Sequence, residues 1–502
     1  MNNLKGLLAL AAAAVAVAAQ AKIEMGTPFS DRAVLQRGVE VPVWGKATPG
    51  ARVTVAFAGA KVAAHAGADG SWSLKLPPMA ASAKGRTMAV TEQCAGKPGT
   101  GSGERLEIKD VLVGEVWFAS GQSNMECPIW GGDPRYRDGA GALVTAMDHL
   151  PNVRFAKTDR AWSATPVRAK SHGWKKFEPA SFRGYTLSAV AYYYARELYL
   201  ALGGVPVGIV DASWGGTNID AWTPRCGYAG CDASIRATAD YPVMDKWDAS
   251  MKKGPISEAR QQPTVLFNAM VDSWAPMAMR GFIWYQGCHN NDEPQLYAAK
   301  MRALREGWAR RFENPGLKLY FVQLAPFSQN WPGLVAAQTK YAEEEPNAAL
   351  AVTADVGNFV DIHPNRKEIV AKRLVVHALK RDYGFDIEED DSPVLESARL
   401  SDGAVVMRFK HTKGWYVYSD DRSIEPAFEV AGEDGEWKSA KLQNVAKDGV
   451  VKGGELVVRS EAVPAPVKVR YLVRPRTMGT VYNQVCLPLG PFAADVNRAP
   501  AD

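Results

Sequence analysis

The chain has 502 residues, 47% of them hydrophobic, and 59 Lys and Arg against 54 Asp and Glu give a formal net charge of +5. That length is too great for one core and suggests three or so domains of about 100–200 residues each. The charge is small and the basic residues are scattered, which argues against a nucleic-acid or polyanion partner.

Residues 1–21 carry Lys5, an apolar run from Leu7 to Ala18 and then Ala19-Gln20-Ala21, the Ala-x-Ala form of a secretory cleavage site. We expect a signal peptide cleaved after Ala21 and a periplasmic or secreted product. No membrane span is expected after that cleavage, because no other stretch approaches about 18 consecutive apolar residues. Export bears on the six cysteines. Cys226 and Cys231 are close enough in the chain to bridge, whereas Cys94, Cys127, Cys288 and Cys486 are far apart and their spacing pairs none of them. None has zinc-site spacing, so no structural metal is expected.

From 22 to 110 the pattern is short runs that alternate apolar with polar residues, at 39–44, 51–56, 72–76 and 87–91, punctuated by Gly and Pro. This predicts a small antiparallel β-sandwich. From 111 to 390 strands alternate with helices, which calls for an α/β domain with a mostly parallel sheet covered on both faces. Strands are expected at 113–119, 205–211, 281–286, 317–324 and 348–354, and helices at 188–202, 293–312 and 366–382. Thr186 or Ser188 would cap the first helix and Gly203-Gly204 would close it. The segment from Trp130 to Phe182 reads as a long loop shaping a cleft. From 391 to 502 the β pattern returns, with strands at 404–409, 427–430, 455–459 and 467–473, as a second β-rich domain.

The chemistry centres on Val116 to Ala119 running into Gly121-Gln122-Ser123-Asn124. An apolar strand ending in a lone serine among turn formers can present a hydroxyl, and its own backbone N–H, at the carboxyl end of a sheet. Alone, such a segment is more often an ordinary polar turn. An activated serine also needs a base, a group to orient it, and donors for the oxyanion. Of the seven histidines, His65 and His411 fall in the β regions and His149 and His172 in the long segment, while His377 sits in a helix as a structural residue. His289 and His363 remain at strand ends. In Asp361-Ile-His363-Pro364 an extended backbone would put Asp361 and His363 on one side, so Asp361 is the expected orienting acid and Asp355 its rival. Ser213-Trp-Gly-Gly-Thr-Asn218 and Trp284-Tyr-Gln-Gly-Cys-His-Asn290 offer oxyanion donors through Gly216 and Asn290.

The order serine, glycine, asparagine, histidine across four strand ends resembles the SGNH-type hydrolases. The wording Gly-Gln-Ser-Asn-Met, Ser-Trp-Gly-Gly-Thr, Trp-Tyr-Gln-Gly and Asp-Ile-His-Pro-x-x-Lys is similar to the sialate O-acetylesterases and their bacterial relatives. Phe29 to Gln36 with Val41-Pro-Val-Trp-Gly45, and Val481 to Phe492, extend that resemblance to both ends of the mature chain. It implies an SGNH-hydrolase three-layer α/β/α domain at 111–390, flanked by β-rich domains at 22–110 and 391–502. Ser123 would be the nucleophile, His363 the base and Asp361 its partner. The Ser123 and Gly216 N–H groups and the Asn290 side chain would form the oxyanion hole, with Gln122 and Gln286 as supporting polar groups.

One departure stands out. Where the family usually has Gly-Glu-Ser-Asn, this chain has Gly287-Cys288-His289-Asn290, which removes a carboxylate and adds a titratable imidazole. The expected activity is removal of O-acetyl groups from sialic acid through an acetyl-serine, with no cofactor. The alternatives are an esterase acting on acetylated xylan and a non-catalytic sugar-binding relative. Trp222 and Tyr228 are expected to line either sugar site. A cysteine nucleophile at Cys127 or Cys288 is disfavoured, because no base and acid surround either in sequence.

Overall fold

The computed structural model describes residues 23–94, 104–129, 149–178, 187–239, 259–328, 331–418 and 427–497; the expected signal segment lies outside them. The central element is a 17-residue strand, β1 (Arg105–Gly121), buried without interruption from Val111 onward. The remaining strands of its sheet are β2 (Leu150–Lys157), β3 (Lys175–Phe177), β4 (Val207–Ser213), β5 (Gly281–Tyr285), β6 (Lys318–Val322) and β7 (Ala348–Ala351). Their spatial order is β3-β2-β4-β1-β5-β6-β7. Every neighbouring pair is parallel except β3 with β2.

Successive side chains of a strand point to opposite faces, and β1 shows what covers each. Trp117 packs edge-on against Tyr194 and donates to the Tyr383 hydroxyl at 3.1 Å. These belong to helices α2 (Ala189–Ala201) and α5 (Lys367–Tyr383). Phe118 meets Trp308 of helix α3 (Pro294–Arg311) on the other side, and helix α4 (Pro332–Glu344) packs on α3. Ser188 caps α2, its side chain accepting from the Ala191 N–H at 3.1 Å. His377 is buried and bonded to Asp390 at 3.1 Å, the structural role expected of it.

The first half of β1 belongs equally to the amino-terminal β region. Ser82–Gln93 pairs with it antiparallel and Val34–Gln36 pairs with it parallel. Asp110, where the sandwich was expected to end, has a φ of 56° and lies inside the strand, so the two regions share one backbone. The carboxyl-terminal region holds a seven-stranded sheet with antiparallel neighbours from Val394–Ser401 to Phe492–Asp495 and a separate three-stranded sheet, a β-rich region as expected.

Two expectations need correcting. The segment 130–182 is not one long loop: β2 and β3 lie within it and form an edge of the central sheet. Leu150-Pro-Asn-Val-Arg-Phe-Ala-Lys157 lacks clean alternation because the strand is covered on both faces. Helix α4 also escaped detection, because its buried face of Leu334, Val335, Gln338 and Tyr341 includes a polar residue that interrupts the apolar stripe.

At the base of the sheet the fully buried Glu115 accepts from the Gln36 side chain at 2.9 Å and from Arg280 at 3.3 Å, and it is paired with Arg37. Burial alone would raise its carboxyl; the Arg280 charge and the hydrogen bonds from Gln36 and Arg37 outweigh that and hold it below the usual value. Its stabilising effect is therefore present above pH 4.5 and lost as pH falls through the lower folded value. Both arginines are about 30% exposed, so solvent screens the pairs. Glu115→Gln is expected to cost about 2–3 kcal/mol at pH 7, below the figure for a fully buried pair. Urea melts should show that gap narrowing below pH 4.5; a gap constant with pH would mean the loss is one of packing.

Candidate active site

Strands β4, β1 and β5 end at the same level, with Ser213 beside Gly121 and Gly121 beside Tyr285. Gly121 has a φ of 138°, and a Cβ there would lie 2.3 Å from the Tyr285 carbonyl oxygen. Only glycine lets the strand close this tightly on its neighbour before turning. The turn is then stitched down on both sides. The Gln122 N–H donates to the Tyr285 carbonyl at 3.0 Å and the Trp214 N–H to the Gly121 carbonyl at 3.0 Å. Ser123 follows at the start of the short helix α1 (Ser123–Glu126).

The Ser123 Oγ lies 2.8 Å from His363 Nε2. On the other edge of the ring, Nδ1 is 3.1 Å from Asp361 Oδ1, and the same oxygen accepts from the His363 backbone N–H at 2.9 Å. The backbone here is a bend rather than the extended segment expected, and the aspartate holds ring and main chain together as an Asx turn. With Nδ1–H donating to Asp361, Nε2 is left to accept the serine proton. The rival acid, Asp355, is committed elsewhere: it forms two 2.7 Å bonds with Arg373 and accepts from Tyr482 at 3.3 Å.

Asn124, next to the serine, fastens the histidine loop. Its amide donates to the Ile362 carbonyl at 3.0 Å, and its own carbonyl accepts from Lys367. Lys367 is 1% exposed and sits 5.3 Å from the Tyr285 ring centroid. Burial first holds the His363 imidazole below its ordinary value, and the Lys367 charge acts in the same direction; the Asp361 hydrogen bond and charge oppose both.

Gly216 and Asn290 lie on the loops flanking this turn. Gly216 has a φ of 65°. Among the described residues neither its N–H nor that of Ser123 has an acceptor. Asn290 is fixed from three directions: its carbonyl accepts from the Ile219 N–H at 3.0 Å and from Gln286 at 2.7 Å, and its amide gives one N–H to Glu293 at 2.7 Å. Its other N–H is uncommitted by these bonds. Gln286 is fully buried behind Asn290, donating to the Thr217 carbonyl at 3.1 Å and accepting from Tyr297 at 2.7 Å. Gln122 accepts from the Gly287 N–H at 3.1 Å. Both glutamines therefore brace loops.

Sequence reasoning missed the carboxylate that orients Asn290. Glu293 stands three residues further on and is bonded at 2.6 Å to Lys300, itself buried and 2.7 Å from Asp220. Cys288 packs against the core and its burial pushes the thiol up to about 12, so it carries no charge at neutral pH. Cys127 is buried and raised likewise. Neither is an activated nucleophile, and all six cysteines are free. Trp222 and Tyr228 do not line a sugar site: they are 0% and 3% exposed, bonded to Thr217 and Asp220. A residue that no motif flagged, Arg260, lies against this face of the site, its guanidinium 5.6 Å from the Trp214 ring centroid.

Residues 113–371 match a family of carbohydrate esterases described as sialic acid-specific acetylesterases. The human sialate O-acetylesterase is 26% identical over 451 residues, 80% of this chain and 79% of the relative. The rat sialate O-acetylesterase is 28% identical over 399 residues, 68% and 70% of the two chains. The crystal structure of a carbohydrate acetylesterase from Xanthomonas citri is 30% identical, covers 94% of this chain and 99% of its own, and has a TM-score of 0.77.

The electrostatics of His363 are measurable directly. Its imidazole should titrate below 6.5 by NMR, and Lys367→Met, which removes a positive charge, should raise that midpoint toward the ordinary value. A midpoint at or above 6.5 in the unsubstituted protein would contradict the burial and charge just described.

Proposed function

Because the chain belongs to the sialic acid-specific acetylesterase family of carbohydrate esterases, and is a carboxylic ester hydrolase, we propose that it is an exported serine esterase that removes O-acetyl groups from sialic acid. The 2.8 Å approach of Ser123 Oγ to His363 Nε2, with Asp361 on the opposite ring edge, carries this reading. The α/β region is the SGNH-type hydrolase domain, flanked by the β-rich regions at 22–110 and 391–502, the first of which shares strand β1 with it.

In the first step His363 takes the serine proton as Oγ attacks the acetyl carbonyl carbon. The carbonyl oxygen becomes an oxyanion facing the N–H groups of Ser123 and Gly216 and the uncommitted N–H of Asn290. His363 then gives its proton to the departing sugar oxygen, leaving acetyl-Ser123. A water deprotonated by His363 attacks this ester, and collapse releases acetate and returns the proton to Ser123. Asp361 stays ionised and steadies the imidazolium in both halves. These groups belong to the protein, so the proposed chemistry calls for no cofactor.

Glu293 bears on the departure from the family pattern. Asn290 keeps a carboxylate partner although position 288 is cysteine, which supports a catalytic reading over a purely sugar-binding one.

Acetate release from 9-O-acetylated sialic acid, measured beside release from acetylated xylan, tests the reading. Release from sialic acid that vanishes in Ser123→Ala is expected; release from xylan alone would retain the mechanism and overturn the substrate.

Two substitutions weigh the remaining groups. Asn290→Ala should lower kcat by roughly a hundredfold or more as one oxyanion donor is lost, and an unchanged rate would remove Asn290 from that role. Asp361→Asn should lower kcat by about 10³–10⁴ with the fold intact, whereas a tenfold loss or less would mean that another group orients His363.

A further inference from the structure

Arg260 is held over the glycine loop by its neighbour. The Gln261 side chain donates to the Gly216 carbonyl and accepts from the Asn218 N–H at 2.9 Å, while the Gln261 carbonyl accepts from the Asn218 side chain at 2.8 Å. This double strap fixes residues 260 and 261 against the segment that offers the Gly216 N–H. A Cβ at position 216 would stand 3.0 Å from Arg260 Nη2, so the absence of a side chain there makes room for the guanidinium. One residue earlier, a Cβ on Gly215 would stand 3.1 Å from the Ser123 Cβ. Consecutive Cα atoms are about 3.8 Å apart, so the guanidinium lies within about 13 Å of Ser123.

Among the described residues the charge of Arg260 has no carboxylate counterpart. Its Nε is buried and lacks a hydrogen-bond partner, and none of the ion pairs among the described residues includes it. Its guanidinium lies over the face of Trp214, and among the described residues its terminal Nη groups make no hydrogen bond. The carboxylate bound to the glycine loop is already occupied: Glu126 accepts from the Gly215 N–H at 2.8 Å and pairs with Arg160 at 2.5 Å. His289, exposed on the adjoining loop, adds a second nitrogen heterocycle near this charge. A guanidinium with no carboxylate partner among the described residues suits a planar anion, and a carboxylate can meet its two terminal Nη groups with parallel hydrogen bonds.

We propose that Arg260 forms a subsite for the carboxylate of an acidic sugar, clamping it while the acetyl ester reaches Ser123. This rests on the acetyl-sugar reading above and adds to it the feature by which this site would tell an acidic sugar from a neutral one such as xylose. Selectivity would reside in a loop distinct from the serine and histidine turns.

The test compares kcat/KM for 9-O-acetylated N-acetylneuraminic acid and for its C1 methyl ester, in which the carboxylate is neutral. Wild type should prefer the acid. Arg260→Gln should shrink that preference by about 10–100-fold, the worth of a charge-assisted hydrogen bond, and Arg260→Lys should recover part of it. An equal loss on both substrates, or a wild type indifferent to the methyl ester, overturns the subsite while leaving the deacetylase reading in place. Competitive inhibition of p-nitrophenyl acetate hydrolysis by free N-acetylneuraminate separates the remaining outcomes. Inhibition weakened by Arg260→Gln in a protein that does not deacetylate sialic acid would keep the subsite and overturn the reaction. Absence of both inhibition and deacetylation would overturn both.

Discussion

The site depends on three parallel strands being cut off at one level. Ser213, Gly121 and Tyr285 are in register across β4, β1 and β5, so the loops that follow emerge side by side and their polar residues have nowhere to go but the same edge. The missing Cβ of Gly121 makes that register possible, since any side chain there would collide with the Tyr285 carbonyl. Two backbone bonds then fix the serine turn between its neighbours before a side chain takes part. The position of Ser123 is thus set by the sheet, and its 2.8 Å approach to His363 depends on that placement.

The histidine arrives from a less regular place, and side chains supply the order that backbone pairing does not. Asp361 fixes both the ring and the main chain of His363 with one carboxylate oxygen. Asn124 ties the same loop to the Ser123 turn through the Ile362 carbonyl and Lys367. Lys367 is a buried cation, costly unless it is hydrogen-bonded. Its charge also helps keep His363 neutral and ready to accept a proton. Fastening the loop and setting its electrostatics are therefore one device. Cys288 is compatible with it because a thiol raised to about 12 adds no negative charge to the pocket.

Strand ends marked by a glycine or a polar cluster could be read from the sequence, because apolar runs that stop abruptly leave a sharp signal. That covers Gly121 to Asn124, the Trp214 loop, the Trp284 loop and the neighbourhood of His363. Less visible was whatever depends on a partner distant in the chain. Strand β2 shows no alternation because both its faces are covered. Trp222 and Tyr228, read as sugar-facing aromatics, are core residues whose polar atoms meet Thr217 and Asp220. The choice between Asp361 and Asp355 could be anticipated but not decided without knowing that Arg373 takes Asp355 in a bidentate pair. Glu293 gave no signal, since its link to Asn290 and Lys300 is created by a turn and the start of a helix.

The division between strand ends and loops also separates two kinds of requirement. Ester cleavage needs atoms held to a few tenths of an ångström, and the groups proposed for it are anchored at β1, at β5 and on the Asp361 turn. Choosing among acetylated sugars needs only that some charged or bulky group favour one substrate, and a loop satisfies this so long as it is braced. Gln261 provides such a brace for the segment bearing Arg260. It acts on the carbonyl of Gly216, the residue whose N–H is the proposed oxyanion donor. On the proposed mechanism, a substrate pulling on Arg260 would load the same segment that carries the Gly216 N–H, so binding energy gathered at the far end of the sugar could be expressed at the reacting carbonyl.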